Sequence, residues 1–230
     1  MATSNTAPKI IPYNIKPTPL VPNSPKPLLL YKNCFLRDGK VDIALAYDTF
    51  TKNGWDPQWV TTYGNTQRSH YHPATHEVMV VLSGPGTIRW GTADLTDDPK
   101  KHTYGTPGSD FEDGSVFIDV EAGDLFVIPA GVTHKSFDHR AKDLDPTCLS
   151  GGGAHKIEAD DPRSFVGALQ LRGFTMMGAY PRGMSWGWAE GGQHVGSYED
   201  VWRVRNADLD PVYGAEGGIN VYWNRRGSSL

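Results

Sequence analysis

His70-Tyr71-His72-Pro73-Ala74-Thr75-His76-Glu77 is the stretch on which the reading of this chain turns. In an extended strand, residues i and i+2 leave the same face, so His70 and His72 present both imidazoles to one side. Pro73 sits in a short turn after which Glu77 can return to the same point. Two imidazoles and a carboxylate outline a divalent-metal site. What encloses it has to be read from the flanking sequence.

The 230 residues show no break in composition and suffice for one buried core. Gly (26), Pro (17), Trp (7) and Tyr (10) suit an all-β protein rich in turns. The net charge of −4, without a basic stripe or a zinc-finger or RNA-binding pattern, argues against a nucleic-acid partner. No apolar run reaches the roughly 18 residues that span a bilayer. The start, Met1-Ala2-Thr3-Ser4-Asn5, lacks the charged and apolar regions of a signal peptide. A cytoplasmic protein with no membrane partner is therefore expected. Cys34 and Cys148 stand far apart and in no metal motif, so two reduced thiols are expected, although spacing alone leaves a disulfide open.

Seven prolines within residues 1–27 exclude a helix there. That segment is expected as a Pro-rich N-terminal arm, either loose or strapped across a neighbouring subunit, ahead of a single domain at 28–230. Leu28–Tyr31 reads as a short strand. Ile43, Ala44, Tyr47 and Phe50 have helical spacing, and Asn53-Gly54 is a suitable stop, so the sequence predicts a helix over 40–53. Strands are predicted at 59–72, 77–82, 86–90, 115–120, 124–129, 133–137, 165–171 and 175–180. Between them, 92–114 and 139–163 read as polar loops.

Reading outward from the histidines gives a longer pattern. Gly64, His70, His72, Glu77 and Gly84 form one string; Gly123, Pro129, Gly131, His134 and Asp138 form a second about 40 residues later. These strings resemble the paired signature motifs of the cupin superfamily, departing only at Asp138, where Asn is usual. The resemblance implies an all-β fold, the cupin double-stranded β-helix (jelly-roll barrel) with few short helices. It makes His70, His72, Glu77 and His134 the metal ligands. Turn Pro129-Ala130-Gly131 agrees with this, since it can aim His134 into a barrel. Such a donor set suits one divalent transition metal per chain (Fe, Mn, Zn, Ni or Cu) and leaves two positions open on a six-coordinate ion. Further segments, among them Gly178-Ala179-Tyr180-Pro181 and Asp210-Pro211-Val212-Tyr213-Gly214, resemble the YjlB-like single-domain cupins of bacteria and fungi over roughly residues 28–223. That likeness implies a homodimer.

Around the ligands, strand alternation places Thr62, Thr66 and Arg68 on the face of His70 and His72. Arg68 would need an anion there, either a substrate carboxylate or enolate or a structural salt-bridge partner. His76 has the opposite parity to Glu77, whereas Ser136 shares the parity of His134. Arg68, His76 and Ser136 are thus the catalytic candidates beside the metal. Met79 and Val81 share the face of Glu77 and make the pocket apolar. Met184-Ser185-Trp186-Gly187-Trp188, with Met176, Met177, Trp202 and Trp223, either closes the barrel mouth over substrate or packs a core or subunit contact.

Three functions compete. One is a non-haem metal oxidoreductase of dioxygenase type, acting on a small chelating carbonyl, enol or aromatic substrate. Another is a non-redox metal-dependent isomerase, lyase or decarboxylase, which requires a general base that the motifs do not supply. The third is a small-molecule-binding cupin without catalysis, for which eroded ligand positions would be the sign; all four are intact.

Overall fold

Residues 8–141 and 143–224 are described by the structure, a computed structural model. In chain order the strands are β1 (Lys9–Tyr13), β2 (Leu28–Lys32), β3 (Leu36–Arg37), β4 (Lys40–Val41), β5 (Trp55–Tyr63), β6 (Glu77–Ser83), β7 (Gly86–Trp90), β8 (Val116–Val120), β9 (Leu125–Ile128), β10 (His134–Phe137), β11 (Thr147–Cys148) and β12 (Phe174–Pro181). The helices are short: α1 (Ile43–Lys52), α2 (Pro99–Tyr104), α3 (Pro162–Gly167), α4 (Tyr198–Trp202) and α5 (Ile219–Tyr222). A seven-stranded sheet, ordered β1-β2-β9-β6-β12-β5-β11, packs against a three-stranded sheet, β10-β7-β8, and every pairing is antiparallel. This is the all-β class, two packed antiparallel sheets with few short helices, that the sequence predicts.

Alternation along β6 explains how the large sheet carries two cores. Met79 and Val81 point toward the small sheet and meet Ile88, Trp90, Ile118 and Phe126. Val78, Val80 and Leu82 point the other way and pack with Phe50 of α1, Val166 of α3 and Ile219 of α5. Both faces of β6 are therefore dry, and each buried aliphatic side chain contributes about 1.5–3 kcal/mol. A strand buried on both faces has no polar alternation to show, which is why Glu77-Val78-Met79-Val80-Val81-Leu82 reads as a continuous apolar run after its first residue.

Several elements differ from their sequence expectations. The helix predicted at 40–53 is confined to Ile43–Lys52, because Lys40–Val41 pairs with β3 and Asp42 caps the helix by accepting from Leu45 N–H at 3.0 Å. The strand predicted at 165–171 does not form. Asp161 accepts from Ser164 N–H at 3.1 Å and Pro162 occupies the first turn, so a helix start prevails over a β-rich composition. The strand predicted at 59–72 stops at Tyr63. Beyond it, Asn65 N–H donates to Leu144 O, and pairing resumes as isolated bridges, His70 with His134 and Tyr71 with Ala189.

Within the proline-rich segment, Lys9–Tyr13 adds β1 to the edge of the large sheet. Val21, Asn23 and Ser24 are buried. Asn23 donates to Lys16 O and Gly91 O, both at 2.8 Å, and accepts from Thr133 N–H at 3.0 Å, which ties residues 16–23 to the turn before β10. Residues 1–7 and 225–230, included in the two expected segments, lie outside the described residues. Cys34 and Cys148 are both free, and burial raises the Cys34 thiol pKa. No helix among the described residues is long and apolar enough to cross a membrane.

Candidate metal centre

His134 is aimed by the turn before it. Val132 N–H closes that turn on Pro129 O at 3.1 Å, and Gly131 sits at φ +85, a conformation that favours glycine. A Cβ at Gly131 would also stand 2.7 Å from Val201 Cγ1. From this turn His134 exchanges backbone hydrogen bonds with His70, at 2.8 and 3.0 Å, and Gly131 N–H donates to His72 O. The two motifs are thus joined backbone to backbone beside the donor atoms. Ligand nitrogens of His70, His72 and His134 lie within 4.8 Å of one another, and all three residues are buried.

The backbone sets the tautomer of each imidazole. Nδ1 of His70 lies 3.0 Å from Arg68 O, Nδ1 of His72 lies 2.8 Å from Gly187 O, and Nδ1 of His134 lies 3.2 Å from Val132 O. A carbonyl accepts only, so Nδ1 carries the hydrogen in each ring and Nε2 keeps its lone pair. Glu77 completes the group: Oε1 is 3.4 Å from His72 Nε2 and Oε2 is 3.4 Å from His134 Nε2. Tyr180 O–H donates to Oε1, and Trp59 Nε1–H donates to the Tyr180 oxygen at 2.9 Å. Oε2 is buried and accepts no hydrogen bond.

The electrostatics of these four groups suit a cation. Burial holds His70 well below the ordinary histidine range, with His134 and His72 adding to the effect. Burial also brings His134 down to about 4. For His72 burial acts in the same direction, but the Glu77 carboxylate outweighs it and the net shift is upward. For Glu77, burial alone would raise the pKa; His72, His134 and the Tyr180 hydroxyl overcome it and keep the carboxyl ionised. Three imidazole lone pairs and one carboxylate oxygen without a hydrogen bond therefore converge in a buried space. Such a donor set fits a divalent transition ion.

A cavity of about 140 Å³ opens on these four residues. From β5 it is lined by Trp59, Thr61 and Tyr63, the opposite parity to Thr62 and Thr66, because the break at residues 64–65 resets the alternation expected for one long strand. Trp59 can lie flat against β12 because residue 178 is glycine; a Cβ there would stand 2.1 Å from the indole. At the mouth, Trp188 stacks on His70 with centroids 3.6 Å apart and planes 6° apart, and Trp186 stands 6.0 Å from His72. Of the two readings open for the Met184–Trp188 segment, the structure places Trp186 and Trp188 over the site.

The three candidates proposed beside the ligands are placed elsewhere. Arg68 pairs with Asp97 at 2.8 Å and Glu190 at 2.9 Å and does not line the cavity. Its expected position on the ligand face relied on strand geometry through residues 64–69, which is absent. His76 packs on Trp223 at 4.8 Å and accepts from Ala130 N–H through Nδ1 at 2.9 Å, on the far side of β6 from the cavity. It borders instead a larger surface cavity of about 600 Å³, which gathers no comparable set of metal donors among the described residues. Ser136 is buried and its Oγ has no hydrogen-bond partner, but it too is absent from the cavity wall. Sequence reasoning passed over Tyr180, Tyr63 and Gln67. Tyr180 lay inside a quoted motif; nothing in the sequence distinguished Tyr63 or Gln67.

No protein-family model matches the chain. The uncharacterized protein YjlB of Bacillus subtilis is 27% identical over 210 residues, covering 88% of this chain and 90% of that protein. Among solved structures, oxalate decarboxylase of Lactobacillus farciminis in complex with formate shares 10% identity at a TM-score of 0.27, over 82% of this chain and 32% of that one. Bacillus subtilis oxalate decarboxylase, studied for its Mn(II) centres, shares 12% at 0.26, over 81% and 29%. Vicilin of hazelnut, Corylus avellana, shares 12% at 0.24, over 55% and 22%. The chain thus spans a third or less of each solved chain, and scores this low add nothing to the strand pairing described above.

Proposed function

We propose that this chain is a YjlB-like cupin enzyme. It holds one divalent transition metal at His70, His72, Glu77 and His134 and acts on a small organic chelator, by oxidoreductase chemistry of dioxygenase type. One observation carries the reading: three Nε2 lone pairs and the unpartnered Glu77 Oε2 converge on one cavity. When bound, such a metal supplies Lewis acidity and, for iron or manganese, one-electron chemistry.

The chain's own residues supply position and dryness. Carbonyls of Arg68, Gly187 and Val132 hold the three rings by their Nδ1–H groups, which fixes ring orientation and ligand basicity. Tyr180, held by Trp59, fixes the Glu77 carboxylate. Gln67 accepts from Ser136 N–H at 2.6 Å through Oε1, which leaves its amide to donate to Tyr63. The Tyr63 hydroxyl is then free to donate toward a substrate oxygen. Trp186 and Trp188 exclude water.

The redox reading is favoured over an isomerase, lyase or decarboxylase because a general base is missing. Apart from the ligands, the ionisable groups lining the cavity among the described residues are Tyr63 and Tyr180. Burial and the Glu77 charge push both phenols well above their ordinary range, so both stay protonated at neutral pH.

The test is elemental analysis of protein purified without added metal, then oxygen uptake after loading with Fe(II) or Mn(II). The expected result is about one metal ion per chain and oxygen consumption that depends on a small catechol, diketone or hydroxy-ketone. Turnover under nitrogen with Zn(II) would move the assignment to the non-redox class. Stoichiometric metal without turnover on a broad panel would make the chain a binding protein.

A further inference from the structure

Besides the metal ligands, the cavity wall is uncharged. Among the described residues that line it there is no lysine or arginine, and Glu77 is the only acid. Two cations that flank the ligand strands are committed elsewhere. Arg68 is paired with Asp97 and Glu190, and Lys135 reaches His102 on the opposite face of β10 from His134. With a divalent ion in place, Glu77 leaves a single net positive charge. An incoming dianion would therefore leave an unbalanced negative charge in a buried space, which is costly without a cation to pair it. A monoanion leaves the site neutral.

Size gives a second, independent limit. A cavity near 150 Å³ holds about one benzene ring, and this one is about 140 Å³. Its walls suit a flat occupant: Trp59, Tyr63, Trp186 and Trp188 supply aromatic faces, and Thr61 and Tyr63 supply hydroxyls. Trp188 is held at the mouth by its stack on His70 and by its Nε1–H donating to Glu190 Oε1 at 2.9 Å.

We infer that the substrate binds as a monoanionic, bidentate oxygen chelator no larger than a single substituted ring, an enolate or hydroxy-ketone rather than a dicarboxylate or a multi-ring polyketide. This rests on the metal reading above and narrows it to a substrate class.

The test is binding to the full-length protein loaded with redox-inert Zn(II), read by quenching of tryptophan fluorescence and by calorimetry at neutral pH. The probes are 1-hydroxy-2-pyridinone, a single-ring monoanion; oxalate, a dianion of similar size; and 3-hydroxyflavone, a multi-ring chelator. The pyridinone is expected to bind at least about tenfold more tightly than oxalate, a gap of ~1.4 kcal/mol, and the flavone to bind only after Trp188→Ala opens the mouth. Gln67→Arg adds a cation to the wall and should close or invert the gap; Thr61→Lys repeats the test if the first variant fails to fold. Oxalate binding as tightly as the pyridinone to the wild-type zinc protein, or flavone binding without the Trp188 change, overturns the inference while leaving the metal site intact. Probe binding that is equal with and without metal, or protein that takes up no metal, overturns the metal reading and this inference with it.

Discussion

His134 and Lys135 are consecutive on β10 and face opposite sides of it, each into a buried polar cluster. On the Lys135 side, Arg89 pairs with Asp94 and donates to His102 O at 2.6 Å. Lys135 Nζ meets His102 Nδ1 and donates to His102 O at 3.0 Å, and Ser69 N–H donates to Asp94 Oδ2 at 2.8 Å. The Arg89 guanidinium also lies 4.3 Å above the Phe111 ring. Charges here are opposite in sign and, apart from the buried Arg89 Nε–H, which has no hydrogen-bond partner, are answered by protein groups. On the His134 side, the three Nε2 lone pairs and Glu77 Oε2 have no protein donor. Burial is the same in both places; what differs is whether the bonding capacity is closed. The first cluster holds loops to the sheet, whereas the second has room for an ion.

The largest effect that could break this contrast is on metal content. His72→Ala or His134→Ala is expected to reduce bound metal to background and abolish activity. The circular-dichroism spectrum should stay that of the folded protein, because the core is hydrophobic. Wild-type metal content in either variant would refute the ligand assignment.

Breaking the closed cluster should do the opposite. Arg89→Ala leaves Asp94 buried without its cation and is expected to cost about 3–5 kcal/mol of stability. Metal per folded chain should be unchanged. Urea melts beside elemental analysis separate the two, and a variant that lost metal but kept its stability would merge the two clusters into one function.

A smaller effect sharpens the open site. Tyr180→Phe removes the hydroxyl that holds Glu77 Oε1 and should weaken metal affinity by about 10- to 100-fold with the ligands intact. Competition with a chelator measures it, and unchanged affinity would show that Glu77 is held by packing alone.

The smallest effect is in acid. Burial lowers His76 to about 3 and His102 to about 4, so both are neutral in the fold at neutral pH. In the unfolded chain each takes up a proton near the ordinary histidine value of 6.5. Below that pH the unfolded form binds more protons, so stability falls as pH drops through the window between 6.5 and the lowered values. For His76 the loss is roughly 2 kcal/mol on going from pH 6.5 to about pH 5. Thermal melts of metal-stripped protein should show this loss added to that of His70 and His134, which burial also lowers, and a melting temperature flat across the window would contradict burial of these neutral rings.

The residues legible in the sequence were those whose roles depend on local geometry. His70 and His72 were visible by their spacing, and Glu77 by its place after a short turn. Gly131 mattered because a positive φ there rarely suits another residue. His134 was expected as a ligand through its motif, and the structure brings it beside the other two histidines. Residues whose roles depend on chain breaks or on distant neighbours were not legible. Arg68 was expected on the ligand face because one strand was read through residues 59–72; the break after Tyr63 moved the cavity wall to Trp59, Thr61 and Tyr63. Tyr180 reaches Glu77 from a strand about 100 positions away, and no local pattern encodes that distance.

By itself, the sequence determined the all-β class and the two motifs that meet at the centre, because strand alternation and turn geometry are properties of a few adjacent residues. Only the tertiary structure decided the tautomers of the three imidazoles, the anchoring of Glu77 by Tyr180, the lack of cationic side chains among the described residues of the cavity wall and the placing of Trp186 and Trp188 at its mouth. Each of these follows from which distant backbone and side-chain groups are brought within hydrogen-bonding or stacking distance, and that is fixed only when the two sheets and the 183–189 loop pack together.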